Sequence, residues 1–151
     1  MWEDTIFVTS AISAGEEPDP IPGLYDPGEE NGATRSSQSH RWVVYNIDFH
    51  TGAVRWVREL HSGAPTIARH IKNSFASETP VTDGRRVYVY FGSAGVVGAL
   101  NMSGEMVCRA ELGAFETTGG FGSAASPALH GDRLYIVNDN VTESFLAALD
   151  K

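Results

Sequence analysis

Apolar and polar positions alternate with period two over short stretches of this chain, and no window sustains the i, i+3, i+4, i+7 stripe of an amphipathic helix. The alternation is clearest in residues 2–8 (WEDTIFV), 83–89 (DGRRVYV) and 130–136 (HGDRLYI). These align so that Phe7, Tyr88 and Tyr135 share one position. Each stretch opens with a polar turn and continues as a half-buried strand, so the pattern predicts β structure throughout.

The alignment extends beyond those strands. Residues 78–84 (ETPVTDG) match 125–131 (ASPALHG), with Pro80 and Pro127 in register. Residues 45–56 (YNIDFHTGAVRW) match 98–108 (GALNMSGEMVC) after a one-residue deletion, and 147–151 (AALDK) starts the same phrase again. Asp48, Asn101 and Asp150 thereby share a turn position, as do Gly52 and Gly104, while Trp56 aligns with Cys108.

With the strands of each unit labelled A to D, residues 1–60 supply B, C and D, residues 74–112 supply all four, and residues 121–151 supply A, B and C. Short strands recurring at this spacing predict an all-β fold, a partial β-propeller of about two and a half four-stranded antiparallel blades. Residues 15–40, rich in Pro, Gly, Ser and acid, read as a long loop between strands B and C of the first unit. Residues 61–76 and 113–124 read as connections between units on one rim, where binding residues are expected.

Charge refines this picture. Eleven Lys and Arg against 19 Asp and Glu give a formal net charge of -8, which repels phosphate backbones and excludes general nucleic-acid binding. Glu16, Glu17, Asp19, Asp26, Glu29 and Glu30 all fall in the one loop, so much of the excess is a solvated segment. No apolar run reaches the length of a membrane span. The single cysteine, Cys108, excludes an intrachain disulfide and is expected to pack as a small hydrophobe.

The repeated phrases resemble the pyrroloquinoline-quinone-like (PQQ-like) propeller repeats of quinoprotein dehydrogenases, outer-membrane assembly propellers and many bacterial proteins of unknown function, a WD40-like architecture. Residues 46–56, with Asp48, Gly52 and Trp56, carry the best copy of that signature, and residues 72–84, 87–93 and 120–131 are closest to the bacterial repeat proteins. The signature positions implied here are Asp48, Gly52, Trp56, Pro80, Tyr88, Asn101, Gly104, Pro127, Tyr135 and Asp150. Asn101 and Cys108 depart from the pattern, which has Asp and Trp at those places.

The resemblance implies that Trp56 packs as an apolar plate between neighbouring blades. It also implies that the chain is part of a longer propeller, with remaining blades or further copies of itself as partners, associating or exchanging strands to cover open edges. The family suggests a bacterial periplasmic or secreted parent, although residues 1–4 (MWED) lack the features of a secretion signal.

A quinoprotein enzyme would need an axial quinone pocket, a Ca²⁺ ion and an Asp base. Many such enzymes carry an adjacent cysteine pair, and this chain has one cysteine. The expectation is therefore no catalytic residue, no metal and no cofactor in this chain alone, with PQQ and Ca²⁺ belonging to the alternative in which missing blades hold the active site.

Among the histidines, His50 and His130 fall in turns, and none of the five forms a tight ligand pair. His61, Arg69, His70 and Lys72, with Phe121 in the glycine-rich stretch 119–122, form the candidate rim-loop binding residues. Residues 138–143 (NDNVTE) group oxygen atoms but read as an Asx-rich turn. Residues 140–142 and 101–103 are glycosylation-type tripeptides, the latter already occupied by the repeat's turn. The sequence thus predicts a non-catalytic binding or scaffolding segment whose rim loops contact a protein, carbohydrate or small ligand.

Overall fold

A computed structural model describes residues 1–17 and 33–151, so most of the acidic loop expected at 15–40 lies outside the described residues. In chain order the strands are β1 (Thr5–Ser13), β2 (Ala33–Thr34), β3 (His40–Asp48), β4 (Val54–Gly63), β5 (Arg69–His70) and β6 (Val81–Thr82). They continue as β7 (Arg86–Phe91), β8 (Val96–Asn101), β9 (Met106–Glu111), β10 (Ala128–His130), β11 (Arg133–Asn138) and β12 (Phe145–Asp150). The fold is all-β, with a single 3-10 turn at Thr118–Gly120 among the described residues.

Three antiparallel sheets follow one another along the chain: β1-β3-β4, then β6-β7-β8-β9, then β10-β11-β12, while β2 pairs with β5 as a small separate ribbon. Side-chain hydrogen bonds explain where strands break. Asp48 Oδ1 accepts from the backbone N–H of His50 at 3.0 Å and Thr51 at 2.8 Å, and from the Thr51 hydroxyl at 2.8 Å. In the second sheet Asn101 Oδ1 accepts from Ser103 N at 3.1 Å, the Ser103 hydroxyl at 2.8 Å and Glu105 N at 2.8 Å. An amide oxygen offers the same acceptor as a carboxylate, so Asn keeps the turn that Asp makes.

The first alternating stretch starts later than its sequence suggests. Trp2 and Thr5 exchange two backbone hydrogen bonds of 2.9 Å, so residues 2–5 form a turn and β1 begins at Thr5.

Register assigns each sheet two faces. In the first sheet Phe7 lies opposite Asn46 and Ala11 opposite Trp42, which turns Phe7, Trp42 and Val44 toward the second sheet. They meet Val87, Val89, Phe91, Val96 and Leu100 there, forming one core with Leu60 and Phe75. The indole of buried Trp42 donates to Phe75 O and Ser93 Oγ, both at 2.9 Å, so its polar atom is satisfied where its rings are dry.

The second sheet's other face, Tyr88, Tyr90, Val97 and Ala99, forms a second core with Leu134 and Ile136 of the third sheet. Fully burying side chains of this size stabilises by about 1.5–3 kcal/mol each, so these two seams hold the sheets together. Glycine permits the close approach in the first seam, since a Cβ on Gly98 would stand 2.5 Å from Leu60 Cδ2.

Cys108 corrects an expectation, because it is exposed rather than packed. Strand β9 is the edge of its sheet, paired only with β8, and Met106, Val107 and Arg109 are exposed with it. Trp56, at the equivalent place in the first sheet, is half-buried against the next sheet's turn at Gly104, a cover that Cys108 lacks among the described residues.

Candidate functional site

Successive turns of an antiparallel sheet alternate between its two ends. The connection from β4 to β6, the connection from β9 to β10 and the β11–β12 turn therefore gather on one rim, together with residues 14–17 and 33–39. Ion pairs and backbone contacts knit them there. The Arg35 guanidinium pairs with Glu116 and donates to Thr66 O at 3.1 Å. Glu116 Oε2 accepts from Ala68 N at 3.2 Å, and its carbonyl accepts from Val141 N at 3.0 Å.

Within this rim the structure brings His70, Phe121 and Lys72 together. The rings of His70 and Phe121 lie 5.7 Å apart, and Phe121 O accepts from His70 N at 3.2 Å and from Asn73 Nδ2 at 2.8 Å. Lys72 N donates to His70 Nδ1 at 3.1 Å, and its side chain is exposed. Phe121 is 43% exposed, an aromatic surface held from behind by its own carbonyl.

Arg69 sits in the same loop but does different work. It is buried, donating to the carbonyls of His70 (3.2 Å), Ile71 (3.3 Å) and Asn73 (2.8 Å), and it pairs with Glu17 at 3.3 Å. Its guanidinium also lies 5.0 Å from the Phe75 ring centre, a cation–π contact. Arg69 thus clamps the loop that displays His70 and Lys72. His61 is not part of this group: it packs edge-on against Trp42 at 5.1 Å.

Behind the rim lies a buried polar cluster in which Asn138 and Asn140 of the Asx-rich segment stand near Glu78 and Tyr90, two residues without any local sign of a polar role. Glu78 is 2% exposed; its Oε1 accepts from Gly92 N at 2.9 Å, and its Oε2 has no partner. Burial pushes the Glu78 carboxyl above its ordinary pKa, against the opposing pull of the Ser123 hydroxyl and nearby backbone N–H groups. Gly92 leaves room for this arrangement, since a Cβ there would stand 2.8 Å from Glu78 Oε1. Alongside, Asn138 Nδ2 donates to Tyr90 OH at 2.8 Å and Asn140 Nδ2 donates to Asn138 Oδ1 at 2.8 Å, a chain that ties the third sheet to the second. Burial also raises the Tyr90 phenol.

Residues 138–143 form the Asx-rich turn, Asn140 Oδ1 accepting from Thr142 N at 2.9 Å and Glu143 N at 2.8 Å. Asn140 is 9% exposed and its amide is occupied, which removes it as a glycosylation acceptor in the folded chain. Asn101 is likewise held, donating to Glu105 at 2.6 Å.

The opposite rim carries a groove of about 490 Å³ lined by Asp83, Arg85, Arg86, Asp132, Asp150 and Lys151 among others. Burial lifts the Asp83 carboxyl, but the backbone N–H groups of Arg86 and Arg85, then Lys151 and Tyr88, outweigh it and hold the pKa at about 2. Asp150 pairs with Arg133 at 2.8 Å.

Pro80 and Pro127 stand just before β6 and β10, and Tyr88 and Tyr135 take equivalent places opposite Ala99 and Ala148. Among the described residues no group of three or more His, Cys, Asp or Glu is placed to hold a metal ion, and no helix is long and apolar enough to cross a membrane. No protein-family model matches the chain, and no curated protein is similar to it.

Proposed function

We propose that the three sheets are successive blades of a PQQ-like propeller, and that the chain is a non-catalytic binding segment whose knitted rim receives a partner. One observation carries the reading. The seam between the first and second sheets and the seam between the second and third are built by corresponding residues, Phe7 and Tyr88 on one side, Val87 and Leu134 on the other.

Such stacking makes a rigid scaffold and leaves recognition to the connecting loops. On this rim the exposed Phe121, its ring tilted against His70, supplies an aromatic plate in the same loop group as the exposed Lys72. That combination suits a protein surface or a sugar ring with an acidic neighbour.

Peptide and glycan arrays probed with the wild-type chain and with Phe121→Ala test the assignment. Binding that disappears in Phe121→Ala without a change in melting temperature supports it. Binding that persists unchanged moves the site elsewhere. Heat released on titration with PQQ and Ca²⁺ would instead favour a quinoprotein.

A further inference from the structure

The third sheet's outward face is built like a seam but, among the described residues, lacks the cover of one. Register puts Ala128, Tyr135, Val137, Leu146 and Ala148 on that face. They correspond to Val81, Tyr88, Tyr90, Val97 and Ala99 of the second sheet, which lie in the second seam. The exposures differ sharply: Val97 is 5% exposed and Tyr90 1%, whereas Leu146 is 66% and Val137 49% exposed.

The first sheet's outward face is the other half of the same seam. Ile6 pairs with Ile47 and Val8 with Tyr45, and Val54 lies opposite Ile47, so these side chains share the face turned away from the second sheet. Their counterparts in the second sheet, Val87, Val89 and Leu100, are fully buried against the first. Val8 is 41% and Val54 53% exposed, whereas Val43, opposite Ser10 on the same face, is buried, so the open part of the face is the one around Val8 and Val54.

One chain therefore presents both complementary halves of an interface it already forms twice internally. We infer that the outward face of the first sheet docks on the outward face of the third sheet of a second copy, head to tail. The inference rests on reading the sheets as successive blades and names the partner for their open faces. Because the two patches differ, the contact is heterologous, and repeated around an axis it closes a ring or continues as a filament. Both patches are largely apolar, as an interface that resembles a domain interior requires.

The test uses two single variants of the full chain, Val8→Lys and Leu146→Lys, each placing an unpaired ammonium in one half of the contact. Each side chain is already exposed, so folding is preserved, and each charge weakens the contact by about a hundredfold or more. Sedimentation velocity should show concentration-dependent association of the wild type and monomers for either variant alone. An equimolar mixture should form a one-to-one dimer and go no further, since it holds one intact copy of each face.

A monomeric wild type overturns the proposal, and so does a single variant that still self-associates, because that contact would join like faces. Small-angle scattering of the monomeric Leu146→Lys variant separates the two levels of the argument. A profile inconsistent with three stacked sheets breaks the blade reading itself. A consistent profile beside a non-associating wild type breaks only the head-to-tail contact.

Discussion

Trp56 lies over Gly104. Its indole Nε1 donates to Met102 O at 3.0 Å, and a Cβ added to Gly104 would stand 2.7 Å from Trp56 Cδ2. The tryptophan stands in β4, just past a turn of the first sheet, and the glycine closes the equivalent turn in the second. One side chain therefore fastens two copies of one motif.

Gly104→Ala should destabilise the chain by about 2–4 kcal/mol, the sum of a left-handed backbone cost and overpacking against the indole. Gly104 has φ 83° and a blocked Cβ position. Gly52 has φ 71° but nothing within 4 Å, so Gly52→Ala should cost only the backbone part, about 1–2 kcal/mol. Urea denaturation of both variants measures the difference. Equal losses would show that Trp56 does not seat on Gly104.

Glu78→Gln should stabilise the chain near neutral pH. With its folded pKa raised above 4.5, the folded state holds the proton more tightly than the unfolded state. Stability contributed by the protonated form is present below 4.5 and lost as pH rises through the folded pKa. The amide keeps the acceptor for Gly92 N–H and removes a buried charge whose second oxygen has no partner, a relief of about 1–3 kcal/mol. Melting curves between mildly acidic and neutral pH check this: the wild-type midpoint should fall relative to Glu78→Gln as pH rises. Parallel profiles would contradict it.

Arg69→Met should cost about 2–4 kcal/mol, because the loop carbonyls that Arg69 serves lose their donor inside the rim. Arg69→Lys should recover part of the loss, since a lysine keeps the charge and not the fork. Hydrogen exchange should show residues 70–73 loosening first. A variant as stable as the wild type would make Arg69 a bystander.

Cys108 should react with a thiol reagent in the native state at a rate close to that of a free thiol, because it is exposed on an edge strand. Reaction only after unfolding would place it inside. The same measurement reports assembly if a neighbouring copy covers β9.

Strand alternation and turn chemistry were legible in the chain because both act over a few residues. The period of two in residues 133–138, and the Asx position at Asp48 and Asn101, need only their neighbours, whereas residues 86–91, expected to be half-buried, are covered on both faces because a sheet lies on either side of them. The group of His70, Lys72 and Phe121 was half legible: loop position suggested it, and the structure added the tilted ring contact and the clamp. Arg69 carries no local sign of its burial, because the three carbonyls that converge on it are brought there by the fold of the loop.

By itself, then, the sequence determined that this is an antiparallel β chain with a repeated strand-and-turn phrase. Tertiary structure alone decided which apolar faces close on each other, that Glu78 is buried with an unpaired oxygen, and that Cys108 stays outside. Burial depends on what another sheet places opposite a residue, and that neighbour comes from a distant part of the chain. Leu146 and Val97 occupy the same place in the repeat, yet among the described residues only Val97 has a sheet over it.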